Sequence, residues 1–220
     1  MPLIKAREIE KMELIEKATI IHYHRHRINE FNSGTVESLG WKDDESQQKR
    51  FEVLSDLADF KGASIMDLGC GQGDFKAFLD SRFSDFSYVG VDQVTEFIAE
   101  GERRYGHLAN TDFYLTDFSS VELPIVDYVI ASGALGYRCA KPNWFNEVIA
   151  KMYASTSRGL AFNMLDITMF PDHPLLVGHD AEEIEGFCKS LSPRVKLIQG
   201  YLVDDFTIFM YRAPDSSSLV

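Results

Sequence analysis

Three glycines at alternate positions, Gly69, Gly71 and Gly73, follow the apolar run Ile65-Met66-Asp67-Leu68 and precede a helix-compatible stretch, Asp74 to Phe83. Glycine lacks a Cβ, so such a turn can adopt unusual dihedrals and lets a ligand approach the backbone closely. Unpaired N–H groups at the start of the following helix would suit a carboxylate, a phosphate or another polar ligand. Asp92 comes 25 residues after Asp67, at the end of a second apolar run, Phe86 to Asp92. That spacing fits a strand–helix–strand unit, and an acid at the second strand's end can hydrogen-bond ribose hydroxyls. A third run, Phe113-Tyr114-Leu115, leads into Thr116-Asp117-Phe118, and a fourth, Val126 to Ser132, breaks at Gly133. Polar residues therefore recur at strand ends along one edge of one sheet, where open α/β sheets bind ligands. The glycine turn alone would also fit a tight connection with no ligand.

The elements that position these residues can be read from periodicity. Residues 6 to 28 read as one helix, with Met12, Ile15, Thr19 and His22 along its apolar face. It ends in His22-Tyr23-His24-Arg25-His26-Arg27, a cationic turn that complements the helix dipole or recognises an anion. His22 and His26 share a face, but no acid or cysteine nearby completes a zinc site, so no metal is expected. Asn32-Ser33-Gly34 and Gly40 mark a loop. A second helix opens at Asp43-Asp44-Glu45-Ser46 and runs to about Phe60, with Phe51, Leu54, Leu57 and Ala58 on its apolar side. Lys61-Gly62 feeds it straight into the first strand, so its first turns, with Gln47, Gln48 and Arg50, fall near the strand's carboxyl end. Helices over Thr95–Tyr105, Asn143–Ser155 and Asp180–Ser190 follow, with a fifth strand at Arg158–Asp166 and a long loop from Ile167 to His179. Arg194–Leu202 and Asp205–Arg212 read as a terminal β-hairpin.

The turn Asp67-Leu68-Gly69-Cys70-Gly71-Gln72-Gly73, the Gly90-Val91-Asp92 strand end, Thr116-Asp117-Phe118 and Asp127-Tyr128-Val129-Ile130-Ala131-Ser132 together resemble the ordered motifs of class I S-adenosylmethionine-dependent methyltransferases. The likeness covers residues 65 to about 133. The flanks Leu39-Gly40-Trp41 and Gln48-Lys49-Arg50-Phe51 resemble bacterial methyltransferase-like proteins of unassigned substrate. A dinucleotide-binding domain would carry Gly-x-Gly-x-x-Gly, whereas this turn is Gly-x-Gly-x-Gly. The resemblance implies a Rossmann-like α/β fold: a mostly parallel seven-stranded sheet, a terminal antiparallel hairpin and helices on both faces. It implies S-adenosylmethionine as cofactor, with Gly69, Cys70, Gly71 and Gly73 around the methionine moiety and Asp67 orienting the turn or contacting the amino group. Asp92 with Gln93 would take the ribose, Asp117 the adenine amino group and the Phe118 N–H the adenine ring, with Ser132 bordering the site. Arg50 is expected to pair with the methionine carboxylate. Residues 1–60 would form a helical segment packed on the 61–213 core, 20–42 a lid over the site, and 214–220 a frayed tail, all in one domain.

The methyl acceptor is less legible. Strand four ends in Ser132-Gly133-Ala134-Leu135, not in the Asn/Asp-Pro-Pro-Tyr-like turn of many nucleic-acid and glutamine N-methyltransferases. Tyr137, Asn163, Phe170 and His173 follow strands four and five and are candidates for the acceptor pocket. His173 and Tyr137 are candidates for the catalytic base, the histidine because its pKa lies near neutrality. A formal net charge of −12 over 220 residues disfavours polyanions and leaves a small-molecule substrate. Transfer to O, N or C is open, as are aminocarboxypropyl transfer, cyclisation and a non-catalytic binding role. Cys70, Cys139 and Cys188 are too widely spaced for a disulfide framework and suit a reducing cytoplasm. Cys70 reads as a redox target or as a small residue tolerated in a tight loop. The charged start, Lys5 to Lys11, is not a signal peptide, and no apolar run approaches the roughly 20 residues that span a bilayer.

Overall fold

The computed structural model describes residues 12–213; the start of the first expected helix and the tail from residue 214 lie outside them. Seven strands form one sheet: β1 (Ser64–Leu68), β2 (Ser87–Asp92), β3 (Thr111–Leu115), β4 (Val126–Ala131), β5 (Thr156–Leu165), β6 (Arg194–Ile198) and β7 (Asp205–Tyr211). Their order is β3-β2-β1-β4-β5-β7-β6. β1 to β5 pair in parallel, and β7 inserts antiparallel between β5 and β6. The chain reverses direction across the sheet between β1 and β4, and ligands in open α/β sheets bind at such a crevice.

Six helices accompany the sheet: α1 (Leu14–Phe31), α2 (Asp44–Ser55), α3 (Asp74–Arg82), α4 (Thr95–Tyr105), α5 (Trp144–Ala154) and α6 (Ala181–Leu191). Alternation along the buried strands divides the core in two. Met66, Leu68, Phe162 and Ile208 pack with α5 and α6 on one face. Ile65, Tyr88, Ile130 and Phe209 pack with Phe51 and Leu54 of α2 and Phe75 and Leu79 of α3 on the other. Asp43 caps α2, its side chain accepting from the Ser46 N–H at 2.8 Å, and Asp180 caps α6 through the N–H groups of Glu182 and Glu183.

Three sequence expectations change. α1 buries Ile20 and His24, while Ile15 and Thr19 are exposed, so its inner face is rotated from the expected one. A face set by His24 meets the edges of Phe97 and Tyr137, which give it aromatic neighbours that periodicity alone cannot reveal. α2 ends at Ser55, five residues before Phe60, and Asp56 starts the turn into β1. β6 stops at Ile198, because Tyr201 to Asp204 bend over the sheet edge instead of extending the ladder. Among the described residues no helix is long and apolar enough to cross a membrane, and no cluster of His, Cys, Asp and Glu side chains could hold a metal ion.

Candidate active site

One cavity of about 650 Å³ lies at the carboxyl edge of the sheet. Its floor at one end is the turn after β1. Gly69, Gly71 and Gly73 have φ of 77°, 54° and 83°, in the left-handed region that disfavours a side chain. A Cβ on Gly69 would come within 2.6 Å of the Ala134 Cβ, and one on Gly71 within 2.6 Å of the Leu39 Cδ2. The N–H groups of this turn are not free. Those of Gly69 and Cys70 donate to the Val91 carbonyl, Gly71 to Asp92 and Gly73 to the Cys70 carbonyl. What the turn offers a ligand is close backbone approach and the acids around it.

Asp67 is the most telling of those acids. Its Oδ2 accepts from the Tyr88 hydroxyl at 2.6 Å, while its Oδ1 is buried with no hydrogen-bond partner. Burial pushes the carboxyl up to about 7, opposed by the Tyr88 bond and reinforced by Asp92 and Asp74. Asp92 has both oxygens engaged, Oδ2 by the Gly71 N–H at 3.0 Å and Oδ1 by the Val94 N–H at 2.9 Å. Burial raises it to about 6 against those bonds. The acid at the end of β2 thus closes the glycine turn and starts α4, while its face still lines the cavity.

Asp117 is occupied differently from the expected adenine contact. Its Oδ1 accepts from the Ser119 N–H and Oγ, and its Oδ2 from the Ser120 Oγ and the Lys17 ammonium of α1. A carboxylate has about four lone-pair sites, and all four are filled. Burial alone would raise its pKa, but Lys17, Ser120 and Ser119 outweigh it and hold the carboxyl below its ordinary value. Asp117 anchors α1 to the sheet edge, so an adenine amino group has no free acceptor there.

The other end of the cavity is built from the ends of β4 and β5. The Gly133 N–H donates to the Asn163 Oδ1 at 2.7 Å, which leaves the buried Asn163 Nδ2 without a partner. The Ser132 Oγ and Trp144 Nε1 are likewise buried and unpartnered. Gly133 has φ 69°, and a Cβ there would meet the Trp41 ring at 2.6 Å. The Trp41 ring therefore packs against the end of β4. Tyr137 bonds His24 across the cavity wall, Oη to Nε2 at 2.5 Å. Phe170 lines the same space, but His173 does not: its Nδ1 accepts from the N–H groups of Leu175 and Leu176 and shapes its own loop.

Arg50 also lines the cavity, but its charge is already matched. Its Nε and Nη2 reach the Asp205 Oδ2 at 2.9 and 2.8 Å, its Nη1 donates to the Ser46 carbonyl, and the Trp41 ring stacks on it at 4.8 Å. Asp205, at the start of β7, also accepts from the Tyr201 hydroxyl. The expected carboxylate partner of Arg50 is thus supplied by the protein.

Comparison with known proteins follows this geometry. The methyltransferase domain family matches residues 65–159. A Mycobacterium tuberculosis protein named "Putative methyltransferase Rv1506c" is 31% identical over 160 residues, 68% of this chain and 93% of that one. The chain belongs to the class I S-adenosylmethionine-dependent methyltransferases. Two solved structures share the fold of this methyltransferase at low identity. Magnesium protoporphyrin IX methyltransferase (ChlM) of Synechocystis PCC 6803 with bound SAM has 16% identity and a TM-score of 0.66, over 93% of this chain and all of that one. The DhpI-SAM-HEP complex has 15% identity and a TM-score of 0.66, over 92% and 100%.

In this methyltransferase most residues expected from sequence meet at one cavity. Asp67, Gly69, Cys70, Gly71, Asp92 and Gln93 line one end, with Asp117 and Phe118 beside them. Ser132, Tyr137, Asn163 and Phe170 line the other, and Arg50 borders both through Trp41. Gly73 does not belong to the lining; a Cβ there would meet Phe113 and Tyr105 at 3.1 Å, so its glycine serves packing at the start of α3. Sequence reasoning missed Trp144, the 201–205 turn and, above all, His24, which it placed in a cationic helix end. Its one available signal was the four-residue spacing of Ile20 and His24 on the helix.

Proposed function

We propose that this methyltransferase moves a methyl group from S-adenosylmethionine to a small-molecule acceptor by direct in-line transfer. Bound here, the cofactor supplies a sulfonium methyl that is already electrophilic. The chain's task is then to hold an acceptor in line and to keep water out, and positioning of that kind can be worth effective molarities on the order of 10⁵–10⁸ M.

The observation that carries the reading is the Asp67 Oδ1, a buried acceptor without a partner, on a residue that lines the cavity beside the glycine turn. An ammonium group satisfies it, and the methionine end of the cofactor carries one. In this reading Asp92, adjacent along the sheet edge, takes the ribose hydroxyls, the methionine chain runs beside the glycine turn that Ala134 and Leu39 pack onto, and the Phe118 backbone borders the adenine. A cavity of 650 Å³ lies within the 300–1,000 Å³ range of small-ligand sites. Leu39 and Trp41 pack onto the glycine turn and the end of β4, leaving an enclosed space that favours a small acceptor over a polymer.

Purified protein incubated with methyl-labelled S-adenosylmethionine and a metabolite extract, followed by mass spectrometry, tests the reading. S-adenosylhomocysteine with a labelled small molecule supports it. Methylthioadenosine would assign aminocarboxypropyl transfer or cyclisation instead, and tight binding without turnover a non-catalytic role.

A further inference from the structure

Building on that reading, we propose that His24 and Tyr137 together accept the proton of the methyl acceptor, and that the acceptor is an aromatic or enolic hydroxyl with a neighbouring oxygen. The two residues come from distant parts of the chain, the inner face of α1 and the loop after β4, and meet at 2.5 Å on the cavity wall.

The groups facing this pair define its protonation. Around His24 stand Tyr23 and Arg27 on its own helix, the Ser38 backbone, Phe97 of α4 and Tyr137. Asp92 of β2, Tyr23 and Arg27 act on Tyr137. Burial lowers His24 to about 4, with the Ser38 carbonyl opposing and Arg27 adding to the fall. The imidazole is therefore neutral at pH 7. Burial likewise drives the Tyr137 hydroxyl far above its ordinary pKa, so it stays a phenol. Of the two arrangements open to a neutral imidazole beside a phenol, we assign the one in which Tyr137 donates to Nε2; Nδ1, which is buried with no hydrogen-bond partner, then carries the imidazole hydrogen. The lone pairs of the Tyr137 Oη are then left to accept from a molecule in the cavity.

In the transfer the acceptor's O–H bond breaks and its oxygen bonds the methyl carbon as the S–CH₃ bond breaks. The released proton passes to the Tyr137 Oη, and the proton of Tyr137 passes to the His24 Nε2. The imidazolium so formed is disfavoured by burial and by Arg27, so it returns its proton to water when the site opens.

The acceptor class follows from the strength of this base and from the walls. A dry imidazole is weakly basic, which suits a hydroxyl of phenolic acidity, with a pKa near ~10, and not an alkyl alcohol. A carboxylate is ionised at neutral pH and needs no proton acceptor. Trp41, Trp144 and Phe170 line the cavity and give an aromatic acceptor apolar neighbours. The unpartnered Asn163 Nδ2 and Trp144 Nε1 are donors that call for an oxygen acceptor on the same molecule.

The test uses the full chain with S-adenosylmethionine and a panel of ortho-hydroxyaryl ketones and catechols, against benzoates and anilines. Methylation of the hydroxyaryl compounds is expected, with Tyr137→Phe and His24→Gln each losing at least 100-fold in kcat. S-adenosylhomocysteine affinity should stay within twofold in both variants. Imidazole nitrogen NMR supplies a readout independent of turnover. His24 should stay neutral down to about pH 5, with Nε2 as the acceptor, and its Nε2 resonance should move on addition of 2-hydroxyacetophenone and in Tyr137→Phe. His24→Asn stands in if His24→Gln does not fold. Turnover of the panel within threefold of wild type in the variants, a charged His24 at neutral pH, or methylation confined to benzoates or anilines overturns the proposal, as does failure to methylate the panel at all. A chain that binds no S-adenosylhomocysteine refutes the cofactor reading itself; one that binds it but shows any of those results refutes this inference alone.

Discussion

Asp67 combines a buried position, one satisfied oxygen and one empty oxygen. If Asp67 receives the cofactor ammonium as proposed, its pKa of about 7 would make that capture pH-dependent. Below that value the carboxyl is largely protonated and presents no charge to an ammonium; above it the anion is available. Affinity for S-adenosylhomocysteine should therefore rise as pH goes from 6 to 7.5, and titration calorimetry of Asp67→Asn should show the slope lost. Asp92→Ala should weaken the same ligand by removing ribose hydrogen bonds, about 1.5–3 kcal/mol each where charge-assisted. It should also lower the melting temperature, since the carboxylate holds the N–H groups of Gly71 and Val94. Unchanged affinity in a folded Asp92→Ala would reduce that residue to a turn cap. At this scale the sequence revealed which strand ends carry acids but not how much of each acid is already used. Asp117 and Asp92 look alike in sequence, yet Lys17 and two serines saturate the first while backbone alone engages the second. The donors that decide this include a lysine 100 residues away.

At the scale of elements, the direction of α2 was readable because a short link joins its end to β1, although residues 56–63 form it rather than the expected Lys61-Gly62 alone, and its first turns do reach the cavity. The partner of Arg50 was not readable: Asp205 lies 155 residues away, at the start of the strand that inserts last into the sheet. The pair ties α2 to β7, both side chains being under a tenth exposed. Removing one member of a buried pair leaves an uncompensated charge and costs about 3–5 kcal/mol. Arg50→Met should thus destabilise the fold by that order in urea unfolding, and Arg50→Met combined with Asp205→Leu should recover much of the loss. A single variant as stable as wild type would show the pair to be a surface contact. The segment between α1 and α2 is held to the glycine turn and the end of β4 by small contacts: Gly34 N–H to the Gln72 Oε1, the Gln72 Nε2 to the Thr35 carbonyl, Leu39 on Gly71 and Trp41 on Gly133. Contacts of this kind open locally at low cost. S-adenosylhomocysteine should protect residues 20–42 from protease, and Trp41→Ala should remove the protection. Equal cleavage with and without ligand would make the segment fixed packing rather than a lid.

The whole molecule is a sheet whose reversal point, glycine turn and strand-end acids converge on one cavity, covered from the N-terminal side and from the turn before β7. The sheet and most helices were legible because strand and helix periods are local, and each strand ends in a recognisable break. A cover from residues 20–42 was expected from sequence, but the contacts that hold the covering pieces were not legible, because they are long-range pairs such as His24 with Tyr137 and Arg50 with Asp205. Titration calorimetry of S-adenosylhomocysteine and NAD at pH 7.5, with thermal unfolding alongside, tests the cofactor reading most directly. Saturable 1:1 binding of S-adenosylhomocysteine is expected. At 100 times its Kd it should stabilise the fold by about 2.7 kcal/mol, with NAD leaving the melting temperature unmoved. No heat and no shift at millimolar S-adenosylhomocysteine, or a shift with NAD alone, would contradict it.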